Sequence, residues 1–110
     1  MVKPGTVVTV DFPGAQGVKR RPALVVSTDA YHAARPDAVL AVITSQTRAA
    51  TAPTDYVLQD WSTAGLHSPS AFRAYLATLP TTSIVAVIGQ LSQHDWLEVQ
   101  ARLHIALAVL

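Results

Sequence analysis

A cluster of positive charge runs directly into an apolar segment in Lys19-Arg20-Arg21-Pro22-Ala23-Leu24-Val25-Val26-Ser27. The branched residues after Pro22 predict a buried strand, and the proline fits its first position, where a missing N–H does least harm. A rigid strand holds neighbouring cations in place better than a flexible basic tail does, so these cations can be aimed at one phosphate. The stretch therefore predicts a buried strand with an anion site at its entrance.

The residues before this stretch predict a first strand and a loop. Residues 6–12 alternate apolar and polar side chains over part of their length, as a half-buried strand does, and they follow the turn signal Pro4-Gly5. Residues 13–19 contain two glycines and a proline between apolar runs. We predict that they form a flexible hairpin loop that leads the chain to Arg21.

The residues after this stretch predict further strands. Residues 38–43 are almost wholly apolar and predict a central strand, which ends at the polar Thr44-Ser45-Gln46 and follows a connection over residues 28–37. Three more segments have a strand pattern, and loops separate them: residues 55–58, 70–78 and 84–88.

The end of the chain predicts an α-helix. Ser92 has the character of an N-cap, and the acidic Asp95 follows three positions later in a variant of the capping box. Apolar residues then recur with helical spacing as far as Leu107. Residues 103–110 are apolar nearly all round, which favours a surface that a partner covers.

Length and composition indicate one globular domain, residues 1–110. Half of the 110 residues are apolar and 14% are charged, which excludes a disordered chain. Short strands, irregular loops and one closing helix predict a mainly β fold, namely a small, bent antiparallel barrel with a C-terminal α-helix packed against it. The chain has no cysteine, which excludes disulfides and thiolate metal sites.

Hydropathy argues against a membrane or secreted protein. No apolar run approaches the roughly 20 residues that a membrane span needs, and the N-terminus lacks the apolar core of a secretory signal. We therefore expect a soluble, cytoplasmic protein. The net charge of +1 is too small to predict nucleic-acid binding by itself, so the placement of the charges decides that question.

Four short blocks occur in a fixed order along the chain. They are Lys3-Pro4-Gly5 with Val10-Asp11-Phe12, then Arg21–Ser27, Ile43–Gln46 and Ile88–Ser92. Together with the length and the terminal helix, they resemble the MazF/PemK toxins of type II toxin-antitoxin systems, which are mRNA interferases. The resemblance implies an SH3-like or plasmid-maintenance toxin barrel, a homodimer and a cognate antitoxin as partner. It also implies a metal-independent, sequence-specific endoribonuclease that cleaves single-stranded mRNA without a cofactor.

The resemblance also implies a catalytic pair, Arg21 and Thr44. RNA carries its own nucleophile, because the 2′-hydroxyl can attack the adjacent phosphorus once it is oriented and the developing charge is stabilised. An arginine side chain is always protonated and offers five donors in a fork that suits phosphate oxygens, while a threonine hydroxyl can accept or donate a further hydrogen bond. Arg21 is expected to clamp the phosphate and Thr44 to orient it. This leaves the general base unassigned.

Other polar residues near these blocks are candidates for RNA contacts. Lys19, Arg20 and Arg48 are assigned to the RNA backbone, although each could equally mark a solvated face. Four polar side chains could hydrogen-bond to RNA or read its bases: Gln16, Ser45, Gln46 and Ser70. The simpler interpretation is that they end strands, cap turns or lie in ordinary loops.

The remaining aromatic and ionisable residues predict no further site. Trp96 lies in the first turn of the helix and should pack inward, whereas Trp61 could either pack or stack on a base. No metal site is predicted, because none of the histidines has the helical pairing that zinc enzymes show: His32, His67, His94 and His104.

Gln16 leaves two alternatives open. Many toxins of this type have an acidic residue in the loop before the arginine, and Gln16 occupies the corresponding place here. The chain could therefore be a catalytically impaired member that binds nucleic acid or antitoxin. It could also be a gyrase-inhibiting toxin of the related fold, which acts mainly through its terminal helix. The Arg21 and Thr44 pattern favours RNA chemistry.

Overall fold

A computed structural model describes residues 2–14 and 17–109 of the chain. In these ranges a single antiparallel sheet is followed by a C-terminal helix. The strands are β1 (Thr6–Gly14), β2 (Gly17–Val25), β3 (Asp37–Thr44), β4 (Tyr56–Val57), β5 (Ala71–Pro80) and β6 (Ile84–Gln90). The helices are α1 (Asp29–Ala34) and α2 (Gln93–Ala106), with short 3-10 turns at Thr47–Ala49 and Thr81–Ser83.

The sheet is a half-barrel with strand order β4-β5-β3-β2-β1-β6. All neighbouring strands pair antiparallel, and the ladder shifts register once between β3 and β5 and twice between β1 and β6. Such shifts bend and twist a sheet, which gives it its curvature. The predicted fold class, mainly antiparallel β with a C-terminal helix, is confirmed.

The central strands are buried on both faces, which explains their continuous apolar runs. We call the side that α2 covers the helix face and the opposite side the cleft face. The helix face buries residues that include Val7, Leu24, Ala41, Ile43, Phe72 and Val99 of α2. The cleft face buries Val8, Val10, Ala23, Val25, Ala38 and Leu40. The predicted central strand over residues 38–43 is confirmed as β3.

The start of α2 is built as its sequence predicts, with one addition. The Ser92 hydroxyl accepts from the Asp95 N–H at 3.1 Å. The Asp95 carboxylate, fully buried, accepts from the Tyr56 hydroxyl at 2.6 Å and from the N–H groups of Gln59 and Asp60 at 3.0 and 2.8 Å. Burial and the bond to Asp95 raise the pKa of Tyr56 well above its ordinary value. Asp95 therefore ties the loop after β4 to the helix.

Replacement of Asp95 by alanine should destabilise the fold by about 3 kcal/mol. The change leaves the Tyr56 hydroxyl and two buried N–H groups without their acceptor, and each unsatisfied donor costs roughly 1–3 kcal/mol. Urea unfolding of Asp95→Ala measures this loss. The exposed Asp29 is the control, since Asp29→Ala should change stability by less than about 0.5 kcal/mol. Equal stability of the two variants would contradict the role given to Asp95.

One local prediction is wrong, and one short helix was not predicted. Residues 13–19 are not a long loop, because β1 continues to Gly14, β2 begins at Gly17, and these two glycines pair in a tight hairpin. Gly17 has a positive φ of 104°, which glycine adopts without strain. The connection over residues 28–37 contains α1, whose first turn is capped by the Thr28 hydroxyl accepting from Tyr31 N–H at 3.2 Å.

The loop between β4 and β5 packs its backbone against β6. A Cβ on Gly65 would lie 2.0 Å from the Ile88 carbonyl oxygen, and one on Gly89 would lie 2.1 Å from the Ala64 carbonyl oxygen. Only glycines allow this approach. Trp61 and Trp96 both pack against the core of the helix face, so the inward packing predicted for Trp96 is confirmed. No helix among the described residues combines the length and the apolar character that crossing a membrane requires.

Candidate active site

A cleft of about 800 Å³ gives the cleft face its name, and it lies next to the buried residues of that face. Alternation along the strands explains the composition of its walls, because every second residue of a strand points to the same face. β1 and β2 contribute Phe12, Gly17, Lys19 and Arg21, and β3 with the following turn contributes Val42, Thr44 and Gln46. The segment before β4 and the start of β5 contribute Ala52, Thr54, Asp55, Arg73, Ala74 and Tyr75.

The pairing of β2 with β3 directs Arg21 and Thr44 to the same face of the sheet. Ala23 lies opposite Val42, and this is the last pair of the ladder. Arg21 and Thr44 each lie two residues beyond that pair on their own strands, so both point to the cleft face, and both line the cleft. Two residues that are distant in the sequence thus face the same space.

The polar groups of this pair are available to a ligand. Within residues 2–14 and 17–109, the Arg21 guanidinium makes no hydrogen bond or salt bridge, and the residue is exposed. The Thr44 hydroxyl oxygen accepts from the Gln46 N–H at 3.1 Å. This bond fixes the oxygen and leaves its proton free to be donated. The pair can therefore offer a guanidinium fork and an oriented hydroxyl to one phosphate.

The cleft concentrates positive charge. Its described lining carries the three cations Lys19, Arg21 and Arg73 and the single carboxylate of Asp55, a net charge of +2 (three minus one). The whole chain has a net charge of only +1. The placement of these charged side chains therefore makes the cleft a candidate anion site, although the net charge of the whole chain does not indicate one.

Arg20 lies on the other side of β2. Its Nε donates to Asp11 Oδ1 at 2.9 Å, and Nη2 donates to Oδ2 at 3.3 Å. The hydrogen bond to Arg20 lowers the pKa of Asp11, and the same bond raises the pKa of Arg20. Because neighbouring residues of a strand alternate in direction, Arg21 lines the cleft while Arg20 does not. A contact between Arg20 and RNA stays a prediction.

The other predicted contact residues have different positions. Gln46 lines the cleft and, with Ser45 and Arg48, borders a second, shallow depression of about 390 Å³. Ser70 is 4% exposed, and its hydroxyl donates to the Ser68 carbonyl at 2.8 Å. This is the arrangement of a turn cap, so we leave Ser70 out of the site proposed below. Gln16 lies outside the described residues.

No role in the site was predicted from the sequence for five polar or aromatic residues of the cleft: Phe12, Thr54, Asp55, Arg73 and Tyr75. The Arg73 Nε donates to Asp55 Oδ1 at 3.4 Å, and Asp55 Oδ2 accepts from the Ala52 N–H at 3.1 Å. One local signal was present, since Arg73 is a lone cation within an apolar strand. In the described part of the chain, no three histidine or carboxylate side chains lie close enough together to hold a metal ion.

Comparisons with known proteins agree with this architecture. A model of the family described as PemK-like, MazF-like toxin of type II toxin-antitoxin system matches residues 3–107. No curated protein sequence matches the chain.

Several solved structures share the fold. A mycobacterial endoribonuclease in complex with its cognate antitoxin superposes with a TM-score of 0.80 at 20% identity, covering 100% of this chain and 98% of the other. A chain of the MazE-MazF structure from Deinococcus radiodurans superposes with a TM-score of 0.74 at 24% identity, covering 99% of this chain and 97% of the other. The Mycobacterium tuberculosis toxin MazF-mt6 superposes with a TM-score of 0.76 at 19% identity, covering 94% of this chain and 95% of the other.

Proposed function

Because the chain belongs to the PemK-like, MazF-like toxins of type II toxin-antitoxin systems, we propose that it is a sequence-specific endoribonuclease that cleaves single-stranded mRNA. The observation that carries the proposal is that Arg21 and Thr44 line the same cleft, which has a net positive charge. Solved proteins of the same fold that are named endoribonucleases support it. A cytoplasmic location is part of the proposal, since that is where mRNA is translated.

The proposed reaction uses the RNA as its own nucleophile. The 2′-oxygen attacks the adjacent phosphorus, and the bond from phosphorus to the 5′-oxygen breaks. The proton of the 2′-hydroxyl passes to solvent, and the departing 5′-oxygen takes one up. The products are a 2′,3′-cyclic phosphate and a 5′-hydroxyl. The protein's contribution is to orient the reacting atoms and to stabilise the charge on the phosphate oxygens.

Arg21 and Thr44 divide these tasks. The Arg21 guanidinium binds the phosphate oxygens that gain charge in the transition state, and as an arginine it serves by electrostatic stabilisation and not by giving up a proton. The Thr44 hydroxyl, fixed by the Gln46 N–H, donates to one of the phosphate oxygens and sets the orientation of the phosphate. Lys19, on the same face of β2, binds the flanking backbone.

The proposed partners are a second copy of the chain and an antitoxin. β6 is an edge strand without a charged residue, and its Val85 and Val87 are exposed, as are Ile105, Leu107 and Val109 at the end of α2 and beyond it. An apolar, unpaired edge suits association with a second copy. The antitoxin would occupy the cationic cleft with an extended segment and so exclude RNA. Complexes of such toxins with antitoxins support this part.

Cleavage in excess chelator tests the proposed reaction. We expect the purified protein to cut single-stranded RNA in EDTA and to leave 2′,3′-cyclic phosphate and 5′-hydroxyl ends, because the scheme needs no metal-bound water. Mass spectrometry of the fragments identifies the ends and maps the cut site. Fragments with 5′-phosphates, or cleavage that requires an added divalent ion, would reject the internal-nucleophile scheme.

A further inference from the structure

β5 contributes a second group of polar side chains to the cleft, at a register shift in its pairing with β3. Ala41 pairs with Leu76, but the next residue of β3, Val42, pairs with Arg73. In an unbroken ladder Val42 would face Tyr75. An unbroken ladder would also pair Arg73 with Thr44; the shift pairs Arg73 with Val42 instead and leaves Ala74 and Tyr75 unpaired. Arg73 and Tyr75 are two residues apart on β5, and both line the cleft. Bulges are common next to functional sites.

Tyr75 is presented as a flat aromatic surface. It is 70% exposed, and it belongs to neither core of the sheet. Its hydroxyl has no hydrogen-bond partner among the residues that the structure describes. An exposed aromatic ring in a cationic groove is the platform on which proteins stack the bases of single-stranded nucleic acids.

Arg73 is held so that part of its guanidinium remains available. Its bond to Asp55 uses only Nε, and in the described ranges the two terminal amino groups make no hydrogen bond. The Arg73 side chain is 43% exposed, whereas that of Asp55 is 4% exposed and anchored by Ala52. Asp55 is therefore a fixed support, and the free end of the Arg73 fork suits a phosphate.

Arg73 and Arg21 serve different positions along a bound strand. β3 separates their strands, which puts their Cα atoms two strand spacings apart across the sheet, roughly 10 Å. Asp55 lies just before β4, on the far side of β5 from β2. Its bond draws Arg73 away from Arg21 and toward a neighbouring nucleotide.

We propose that Arg73 and Tyr75 form a second nucleotide subsite of the cleft, in which Tyr75 stacks on a base, Arg73 binds the adjoining phosphate, and Asp55 positions Arg73. The subsite rests on the proposed ribonuclease function and deepens it. It gives the cleft a base-stacking position away from the phosphate that reacts.

Binding of an uncleavable RNA tests the subsite. The probe is single-stranded RNA with 2′-deoxyribose at the mapped cut site, and its affinity is measured by fluorescence anisotropy over a salt series. We expect Tyr75→Ala to bind about ten-fold or more weakly and Tyr75→Phe to bind like the wild type. Arg73→Gln should make the slope of log affinity against log salt less negative by about 0.7, the share of one phosphate contact.

Two further variants distinguish a positioning role of Asp55 from a general loss of structure or of positive charge. Arg35→Gln removes an arginine that pairs with Asp37 outside the cleft, and it should leave both affinity and slope unchanged. Asp55→Asn should weaken binding in the wild type but not in the Arg73→Gln background, because Asp55 acts through Arg73. A purely structural role of Asp55 predicts an equal loss in both backgrounds and would refute the positioning role.

The outcomes distinguish the subsite from the proposed function. Wild-type affinity in Tyr75→Ala, or an unchanged salt slope in Arg73→Gln, overturns the subsite even if RNA cleavage still depends on Arg21. A wild-type protein that neither cuts nor binds RNA overturns the proposed function, and the subsite with it.

Discussion

Arg21→Ala should slow RNA cleavage by about a hundred- to a thousandfold. Removal of one preorganised donor from a transition-state charge costs roughly 3 to 4 kcal/mol, and each 1.36 kcal/mol is a factor of ten in rate. Arg21 is exposed and makes no hydrogen bond or salt bridge in the described part of the chain, so the fold should not depend on it. Single-turnover cleavage of a defined RNA measures the effect.

Two controls belong with this experiment. Arg35→Ala removes an exposed cation of the same type that lies outside the cleft, and it should cut at close to the wild-type rate. Thermal unfolding of both variants shows whether the fold persists. A folded Arg21→Ala protein that cuts at the wild-type rate would remove Arg21 from the mechanism.

An RNA with 2′-deoxyribose at the cut site should not be cleaved at all. The scheme takes its nucleophile from that hydroxyl, and no group of the protein replaces it. Binding should persist within a few-fold, because the phosphates that dominate affinity are unchanged. The comparison needs the same oligonucleotide with and without the one oxygen, and cleavage and affinity are measured on both. Continued cleavage of the deoxy substrate would mean that water or a side chain attacks the phosphorus.

The strands and the terminal helix could be predicted because their signals are local. The apolar run at residues 38–43 and the Ser92 cap each specify one element with little help from the rest of the chain. The tight hairpin at Gly14 and Gly17 was missed because glycines and a proline indicate a turn without fixing its length. α1 was missed because its pattern is only six residues long.

The candidate site was only partly predictable for a physical reason. Arg21 and Thr44 were identified through a resemblance, and the pairing of β2 with β3 explains why they face the same cleft. Arg20 lies on the opposite side of β2 from Arg21. The register of β2 with β1 places Arg20 beside Asp11, with which it forms a salt bridge. Arg73 and Tyr75 line the cleft where the pairing of β3 with β5 shifts register. Register between distant strands leaves no short pattern in the sequence.

The cleft also explains how a nearly neutral chain can present a cationic surface suited to the proposed RNA substrate. Acidic residues elsewhere offset most of the positive charge, and several basic residues are paired with them, as Arg20 is with Asp11 and Arg35 is with Asp37. Lys19 and Arg21 are unpaired in the described residues and face the same space. A strand of phosphates is therefore attracted to one side of the sheet.

A double-mutant cycle on the cleavage rate tests whether Arg21 and Thr44 act together on one phosphate. Arg21→Ala, Thr44→Val and the double variant are compared with the wild type on one RNA in excess chelator. Groups that serve the same transition state are strongly non-additive. We predict that the double variant is slower than Arg21→Ala by no more than a few-fold. Losses that multiply in full, or a single variant that keeps the wild-type rate, would contradict a shared catalytic site.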